Sequence, residues 1–88
     1  MNSSAVTMRV GEYAGGGEYR IYADGVGNSF RARYGRHGWY GWHGADGTDA
    51  SAAWYIGDQD LQHAVARHFG VSHDAVVAAE DAAARGSI

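Results

Sequence analysis

The fold is decided by residues 29–43, which read SFRARYGRHGWYGWH. Apolar residues alternate there with Ser29, Arg31 and Arg33, and successive side chains of a strand point to opposite faces of a sheet. The glycine-bounded segment 35–38 then predicts a turn, and the aromatic residues after it predict the next strand. The stretch therefore predicts a β-hairpin with one apolar face and one cationic face.

Two earlier runs alternate in the same way and extend the hairpin into a meander. In residues 6–10 the apolar side holds the valines and Met8, and the other side holds Arg9. Glycine-rich turns at 14–17 and 24–28 join the runs, and such short connections predict an antiparallel meander of about four strands. The second run divides into an apolar side of Tyr19, Ile21 and Ala23 and a polar side of Glu18, Arg20 and Tyr22.

The apolar period changes near Asp58 from that of a strand to that of a helix. Asp58 is the predicted N-cap of a first helix that ends at Gly70, and Ser72 is the predicted cap of a second helix that ends at Gly86. Two helices after a meander pack most simply on one face of the sheet, so the predicted fold class is α+β. Their apolar stripes are Leu61, Ala64, Val65 and Phe69, and Val76, Ala79 and Ala83.

Length and composition indicate a single domain, residues 1–88, with a sheet over 6–56, a helical pair over 58–85 and disorder at 1–5. Residues 52–56 are either a short fifth strand or an ordered connector. The chain has no cysteine, which excludes a disulfide or a thiolate metal site. No apolar run approaches the roughly 20 residues of a membrane span. We therefore expect a cytoplasmic protein without a membrane partner.

Charge is distributed unevenly along the chain, whose net charge is −3 and whose basic residues are all arginines. Residues 1–45 carry five arginines against three acids, and residues 46–88 carry two arginines against seven acids. The planar arginine fork contacts carboxylates and phosphates bidentately and stacks on rings. The cationic half is predicted to bind an acidic partner, while the acidic half keeps the protein in solution.

The arginines of the strands are predicted to collect on the sheet face opposite the helices, with Glu18 as its one acid. The aromatic segment adds Tyr40 and Trp42, which share a face that Trp39 does not. Trp, Tyr and Arg dominate interface energetics and also stack on bases. In the structural alternative, the tryptophans fill the core and the arginines pair with Glu18. The candidate binding residues are Arg9, Arg20, Tyr22, Arg31, Arg33, Arg36, His37, Tyr40 and Trp42.

Residues 62–79 resemble a helix-turn-helix motif. Ala66 lies four residues before the turn glycine, Gly70, and Val76 lies six residues after it. In that family the second helix enters the major groove of DNA. Here that helix carries acids and has no cation before Arg85, whereas a groove-reading helix needs positive surroundings. We therefore interpret the tight corner as a packing device.

No pattern in the chain predicts catalysis, a cofactor or a metal site. The histidines of the helical region recur every five residues, not at the i,i+3 or i,i+4 spacing that places two metal ligands on one helix face. Residues 25–27 do not open a helix as a phosphate cradle would, and residues 46–49 lack the ligands of a calcium loop. The chain is predicted not to be an enzyme, and His37 and His43 are expected to make binding depend on pH.

The favoured hypothesis is a non-enzymatic module that binds a larger protein or nucleoprotein complex with an acidic surface. In size and style the chain is similar to small phage and mobile-element proteins that inhibit or adapt host machinery, of which anti-CRISPR proteins are one group. The alternative is nucleic-acid binding, by the Arg/Tyr/Trp face or by the helix-turn-helix-like pair. A homodimer through the aromatic segment is a further alternative.

Overall fold

The computed structural model describes residues 6–12, 14–43 and 51–86. Over these residues a five-stranded antiparallel meander is followed by two helices, so the predicted α+β fold is confirmed with one strand added. The predicted disorder at 1–5 lies outside the described residues, as does the segment 46–49. The elements are β1 (Thr7–Glu12), β2 (Glu18–Ala23), β3 (Ser29–Gly35), β4 (Gly38–His43), β5 (Ser51–Tyr55), α1 (Gly57–Phe69) and α2 (His73–Gly86).

The two helices lie on one side of the sheet, the covered face, and bury a hydrophobic core against it. α1 contacts β4 and β5, and α2 contacts β1. Burying a large apolar side chain contributes about 1.5–3 kcal/mol, and the largest fully buried ones are Tyr22, Phe30, Leu61, Val65 and Val76. The predicted helical stripes are confirmed: Leu61, Ala64, Val65, Val76 and Ala79 are buried, and Phe69 and Ala83 pack against the core.

Two glycines let β4 approach its neighbours closely. Gly38 has a φ of 114°, and a Cβ at this position would lie 2.6 Å from the carbonyl oxygen of Tyr55. Gly41 faces the core, where a Cβ would lie 2.8 Å from the Tyr55 ring and 2.9 Å from the Phe30 ring. A side chain at either position would force β5 or the aromatic core to move.

The corner between the helices has the predicted glycine at the end of α1 and the predicted serine cap at the start of α2. Gly70 adopts the left-handed conformation that ends α1, and its backbone N–H donates to the carbonyl of Ala66. The Ser72 hydroxyl accepts a hydrogen bond from the backbone N–H of Ala75 at 3.2 Å, which caps α2. The helices are 13 and 14 residues long, and none in the described ranges is long and apolar enough to cross a membrane.

The predicted N-cap of α1 is wrong. The N-cap lies two residues earlier, at Ile56, and the Asp60 carboxylate accepts the Ile56 backbone N–H at 3.1 Å. Asp58 instead lies in the first turn of the helix. Its carboxylate accepts a hydrogen bond from the indole Nε1 of Trp39 at 2.7 Å. Asp58 therefore joins the start of α1 to β4 rather than capping the helix.

The predicted faces of β2 are wrong: the side chains predicted to face the core face away from it, and the other set faces the core. Tyr22 pairs with Met8 and Phe30, and Arg20 pairs with Ala32, all on the covered face. Because side chains alternate, a shift of one position exchanges the two faces of the whole strand. Arg20 and Tyr22 therefore lie under the helices, and the residues predicted to be in the core, Tyr19, Ile21 and Ala23, lie on the opposite face.

A half-buried hydrogen-bond network around Glu80 of α2 explains why these polar groups lie on the covered face. The Tyr22 hydroxyl donates to Glu80 at 2.8 Å, and the Arg20 guanidinium donates to Glu80 at 3.2 Å and to Glu18 at 3.1 Å. Gln62 of α1 donates to the other oxygen of Glu80. Burial raises the pKa of Tyr22, so its hydroxyl stays protonated and remains a donor. The network fastens both helices to β2.

Four of the five histidines form two ring pairs between elements. His43 at the end of β4 lies 4.3 Å from His68 of α1 between ring centroids, and both contact the Phe30 ring. His63 of α1 stacks on His73 of α2 at 4.3 Å. His43 thus lies on the covered face, away from the surface whose binding it was expected to make pH-dependent.

The His43–His68 pair is expected to make folding stability fall in mild acid. Burial, and then the charge of His43, lower the pKa of His68 below 6.5 in the folded state. The unfolded chain therefore takes up the proton first as the pH falls below 6.5, and the free energy of unfolding declines until the folded pKa is passed.

His68→Phe is expected to remove this component of the pH dependence. Urea unfolding of both proteins at pH 7.5 and pH 5.0 measures it. The difference between the two pH values carries the test, because a packing change from the new ring affects both alike. An equal decline in wild type and variant would exclude His68 as the cause.

Candidate binding surface

The side of the sheet opposite the helices, the open face, is defined by the outward positions of the five strands. Strand register sets its membership, because residues paired across antiparallel strands share a face. One row runs from Arg9 through Ile21 and Arg31 to Trp42. The next runs from Gly11 through Tyr19, Arg33 and Tyr40 to Trp54.

The charge of the open face is wholly positive over the strand residues that the structure describes. Arg9, Arg31 and Arg33 are exposed there, and no described strand position on this face is acidic. The ion pairs of the described residues are those of Arg20 on the covered face, and these three arginines take part in none. Their charges are therefore not neutralised within the described part of the fold.

Aromatic rings form a line beside the arginines. Tyr40 lies 5.0 Å from Trp54 and 5.9 Å from Trp42 between ring centroids, and the Arg33 guanidinium lies 5.3 Å from the Tyr40 ring. Trp54 is 46% exposed. An arginine over a tyrosine face is held by a cation–π attraction, which orders its side chain. The rings and the arginines thus form one continuous surface.

A cleft opens in the middle of this surface. Its volume is about 350 Å³, and the residues of this face that line it are Tyr19, Ile21, Arg31, Arg33 and Trp42. The Tyr19 ring lies over Gly11 so closely that a Cβ there would come within 2.5 Å of it. Gly11 therefore lets Tyr19 lie flat against β1 at one side of the cleft.

The hairpin turn between β3 and β4 carries the two remaining predicted residues. Arg36 and His37 are both exposed. The His37 ring lies edge-on to Trp54, with centroids 5.5 Å apart. The turn therefore continues the aromatic line to the end of the hairpin.

The structure brings together most of the predicted binding residues. Arg20 and Tyr22 are the exceptions, since the network around Glu80 holds them on the covered face. Trp54 was missed because residues 52–56 could be a strand or a connector, so the face of their side chains was undetermined. As a strand, the same residues place Trp54 beside Tyr40. The residues gathered on the open face or at its turn are Arg9, Arg31, Arg33, Arg36, His37, Tyr40 and Trp42.

The described residues form no cluster of side chains that could hold a metal ion, since no three His, Cys, Asp or Glu residues gather among them. The rings of His63 and His73 are nearly parallel, with an angle of 18°, and His73 Nε2 hydrogen-bonds the Gln62 side chain at 3.0 Å. Parallel stacked imidazoles do not direct their nitrogens to one ion.

The chain matches no protein-family model, no curated protein and no solved structure.

Proposed function

We propose that the protein is a non-enzymatic binding module whose open face docks on the acidic surface of a macromolecular partner, a protein or a nucleoprotein complex. The observation that supports this most is the exposure of Arg9, Arg31 and Arg33 on a face without a described strand carboxylate. Complementary charge steers association and fixes orientation. Arg31 and Arg33 supply that charge on the central strand β3, and Arg9 supplies it on the edge strand β1.

The aromatic line strengthens the proposal. Binding energy concentrates in Trp, Tyr and Arg, which bury much area while losing little side-chain freedom. Tyr40, Trp42 and Trp54 are held by mutual contacts on a rigid sheet, with Arg33 against Tyr40. A partner would meet a surface already ordered for contact.

The biological role that we propose is that of an inhibitor or adaptor of host machinery, of the kind that phages and mobile elements produce and that includes anti-CRISPR proteins. This part of the proposal rests on size and style. It implies action in the cytoplasm, where such host machinery operates. Charge complementarity and the aromatic surface support only the broader role of a binding module.

Nucleic-acid binding by the open face is the second candidate function. It is favoured by exposed rings beside arginines that form no ion pair among the described residues, the combination that binds single strands through stacking and phosphate contacts. The helix-turn-helix-like pair is a poorer candidate, because His73 is engaged by Gln62 and α2 has no cation before Arg85. A homodimer that apposes two open faces is disfavoured by arginine repulsion.

The proposal is tested by Arg31→Glu combined with Arg33→Glu. We expect the double variant to keep its far-ultraviolet spectrum, with a stability loss of about 1 kcal/mol that includes the contact of Arg33 with Tyr40. We also expect capture of the partner from a host lysate to be lost. Arg67→Glu with Arg85→Glu is the matched control: it makes the same charge change on the helices, at a cost of about 1 kcal/mol or less for each helix end.

Two outcomes of this experiment would contradict protein binding through the open face. Normal capture by the Arg31/Arg33 variant would place the binding surface elsewhere. Capture that is abolished by nuclease treatment and falls steeply with salt would favour nucleic acid, because each neutralised phosphate releases counterions. Capture that resists nuclease and moderate salt supports a protein partner.

A further inference from the structure

The cleft on the open face is lined by apolar and aromatic residues together with two arginines. Tyr19 and Ile21 line it from β2 and Trp42 from β4, and Arg31 and Arg33 line it from β3 between them. Arginine contributes its aliphatic stem to a wall while its guanidinium stays in water. At about 350 Å³ the cleft is at the small end of the roughly 300–1,000 Å³ range of ligand pockets. Its size therefore suits one large side chain rather than an extended ligand.

We propose that this cleft receives a single large apolar side chain from an acidic peptide segment of the partner, with neighbouring carboxylates bound by Arg31 and Arg33. The inference rests on the proposed function, in which the open face is the binding surface. It adds the chemistry of the partner: an apolar anchor with Asp or Glu within about four residues. Each carboxylate accepts two parallel hydrogen bonds from one guanidinium.

Spacing supports paired carboxylates. Arg31 and Arg33 are alternate residues of one strand and share the open face, so their Cα atoms lie roughly 6.6 Å apart. Acids at alternate positions of an extended segment span a similar distance, and acids three or four positions apart on a helix lie about 5–6 Å apart. Either form of peptide therefore presents two carboxylates to the two guanidinium groups.

The rings beside the cleft favour a side-chain anchor over a nucleobase. A base stacks on a flat ring face, but Tyr40 is already flanked by Trp42, Trp54 and the Arg33 guanidinium. A polynucleotide would bring only sugar carbons and thymine methyl groups to cover Ile21. A large apolar side chain matches the apolar lining of the cleft better, and carboxylates match its two arginines.

The test is selection of an unbiased random dodecapeptide phage library on the immobilised full-length chain. We expect enriched peptides to contain one large aliphatic or aromatic residue with at least two acidic residues within four positions. No enrichment above an empty surface, or a consensus without this pattern, overturns the inference. A parallel titration with a labelled dT dodecanucleotide serves as the nucleic-acid probe, and its binding in place of any peptide has the same consequence.

Cleft-filling variants identify where the anchor binds. Ile21→Trp should weaken binding of the enriched peptides at least tenfold, and Ile21→Ala should weaken it several-fold by removing contacts. Val26→Trp introduces the same ring in the exposed β2–β3 turn and should leave affinity unchanged. Circular dichroism verifies that each variant is folded.

The outcomes distinguish the apolar anchor in the cleft from the broader claim that the open face is the binding surface. If acidic peptides bind through Arg31 and Arg33 but both Ile21 variants bind them normally, the anchor is wrong while the open face remains the binding surface. If the Arg31→Glu/Arg33→Glu variant also binds its peptides and its lysate partner normally, the proposed function is wrong as well. Loss of peptide binding in the Ile21 and arginine variants, with Val26→Trp unaffected, supports both.

Discussion

Trp39→Ala is expected to destabilise the protein by about 3–5 kcal/mol. The Trp39 side chain is 2% exposed and lies under three partners. Its ring packs edge-on against Tyr34 at 5.2 Å, the Arg20 guanidinium lies 4.3 Å above it, and its Nε1 donates to Asp58. A chain of this size has a total stability of about 4–13 kcal/mol, so the loss would consume a large part of it.

Urea unfolding followed by far-ultraviolet circular dichroism measures this effect, because the change on unfolding comes mainly from the backbone rather than from the indole that is removed. Trp42→Ala is the matched control, since Trp42 lies three residues away on the open face. It should cost about 1 kcal/mol or less and should instead reduce partner binding. If the two substitutions destabilise the fold equally, the assignment of one indole to the core and the other to the surface is wrong.

Glu80→Ala is expected to cost about 2–3 kcal/mol. The substitution removes the shared acceptor of Arg20, Tyr22 and Gln62, and an unpaired buried donor costs its desolvation energy. The side chains of Glu80 and Arg20 are each 15% exposed, so the cost should be smaller than the 3–5 kcal/mol or so of breaking a fully buried ion pair.

The urea midpoint of Glu80→Ala should fall accordingly, with little change in the slope of the transition. Asp81→Ala provides the comparison, because it removes the same charge from the next, exposed residue of α2. It should change stability by about 0.5 kcal/mol or less. A similar loss in both variants would mean that helix charge, rather than the network, accounts for the effect.

Most of the fold follows from local pattern. The alternation in β1 and β3 places Met8 and Phe30 in the core, as predicted. Trp39, which the sequence left open between core and interface, is buried there as well. Gly70 and Ser72 mark the helical corner because their roles, a left-handed end and a hydroxyl cap, depend only on nearby backbone. Features set by residues within one turn or one strand were therefore predictable.

The faces of β2 could not be assigned in this way. Both of its alternating sets contain apolar residues, so hydrophobicity alone does not separate Tyr19 and Ile21 from Arg20 and Tyr22. The choice depends on Glu80, which lies 60 positions after Arg20 and satisfies its charge beneath the helices. A polar group becomes a core-facing residue when a distant partner is present, and strand periodicity carries no information about that partner.

The exchange of the two faces of β2 altered which residues form the candidate site, but the site itself remained. Arg20 and Glu18, the acid predicted to share its face, lie on the covered face, so the arginines of the open face have no acidic neighbour on the described strands. Tyr19 and Ile21 lie on the open face instead and line the cleft. Sequence reasoning found the cations of the surface but missed its apolar centre, because that centre depends on register between three strands.

The separation of sheet and helices into two layers determines the electrostatic potential that a binding partner meets. Arginines point outward from one layer, whereas the helices carry five acids against two arginines. The shortest dimension of the molecule is 23 Å, more than twice the screening length of roughly 8 Å in physiological salt. A molecule that contacts the sheet is therefore exposed mainly to the potential of the guanidinium groups and only weakly to that of the acidic helices. Overall acidity, the quantity that an isoelectric point reports, is thus a poor guide to which molecules this protein attracts.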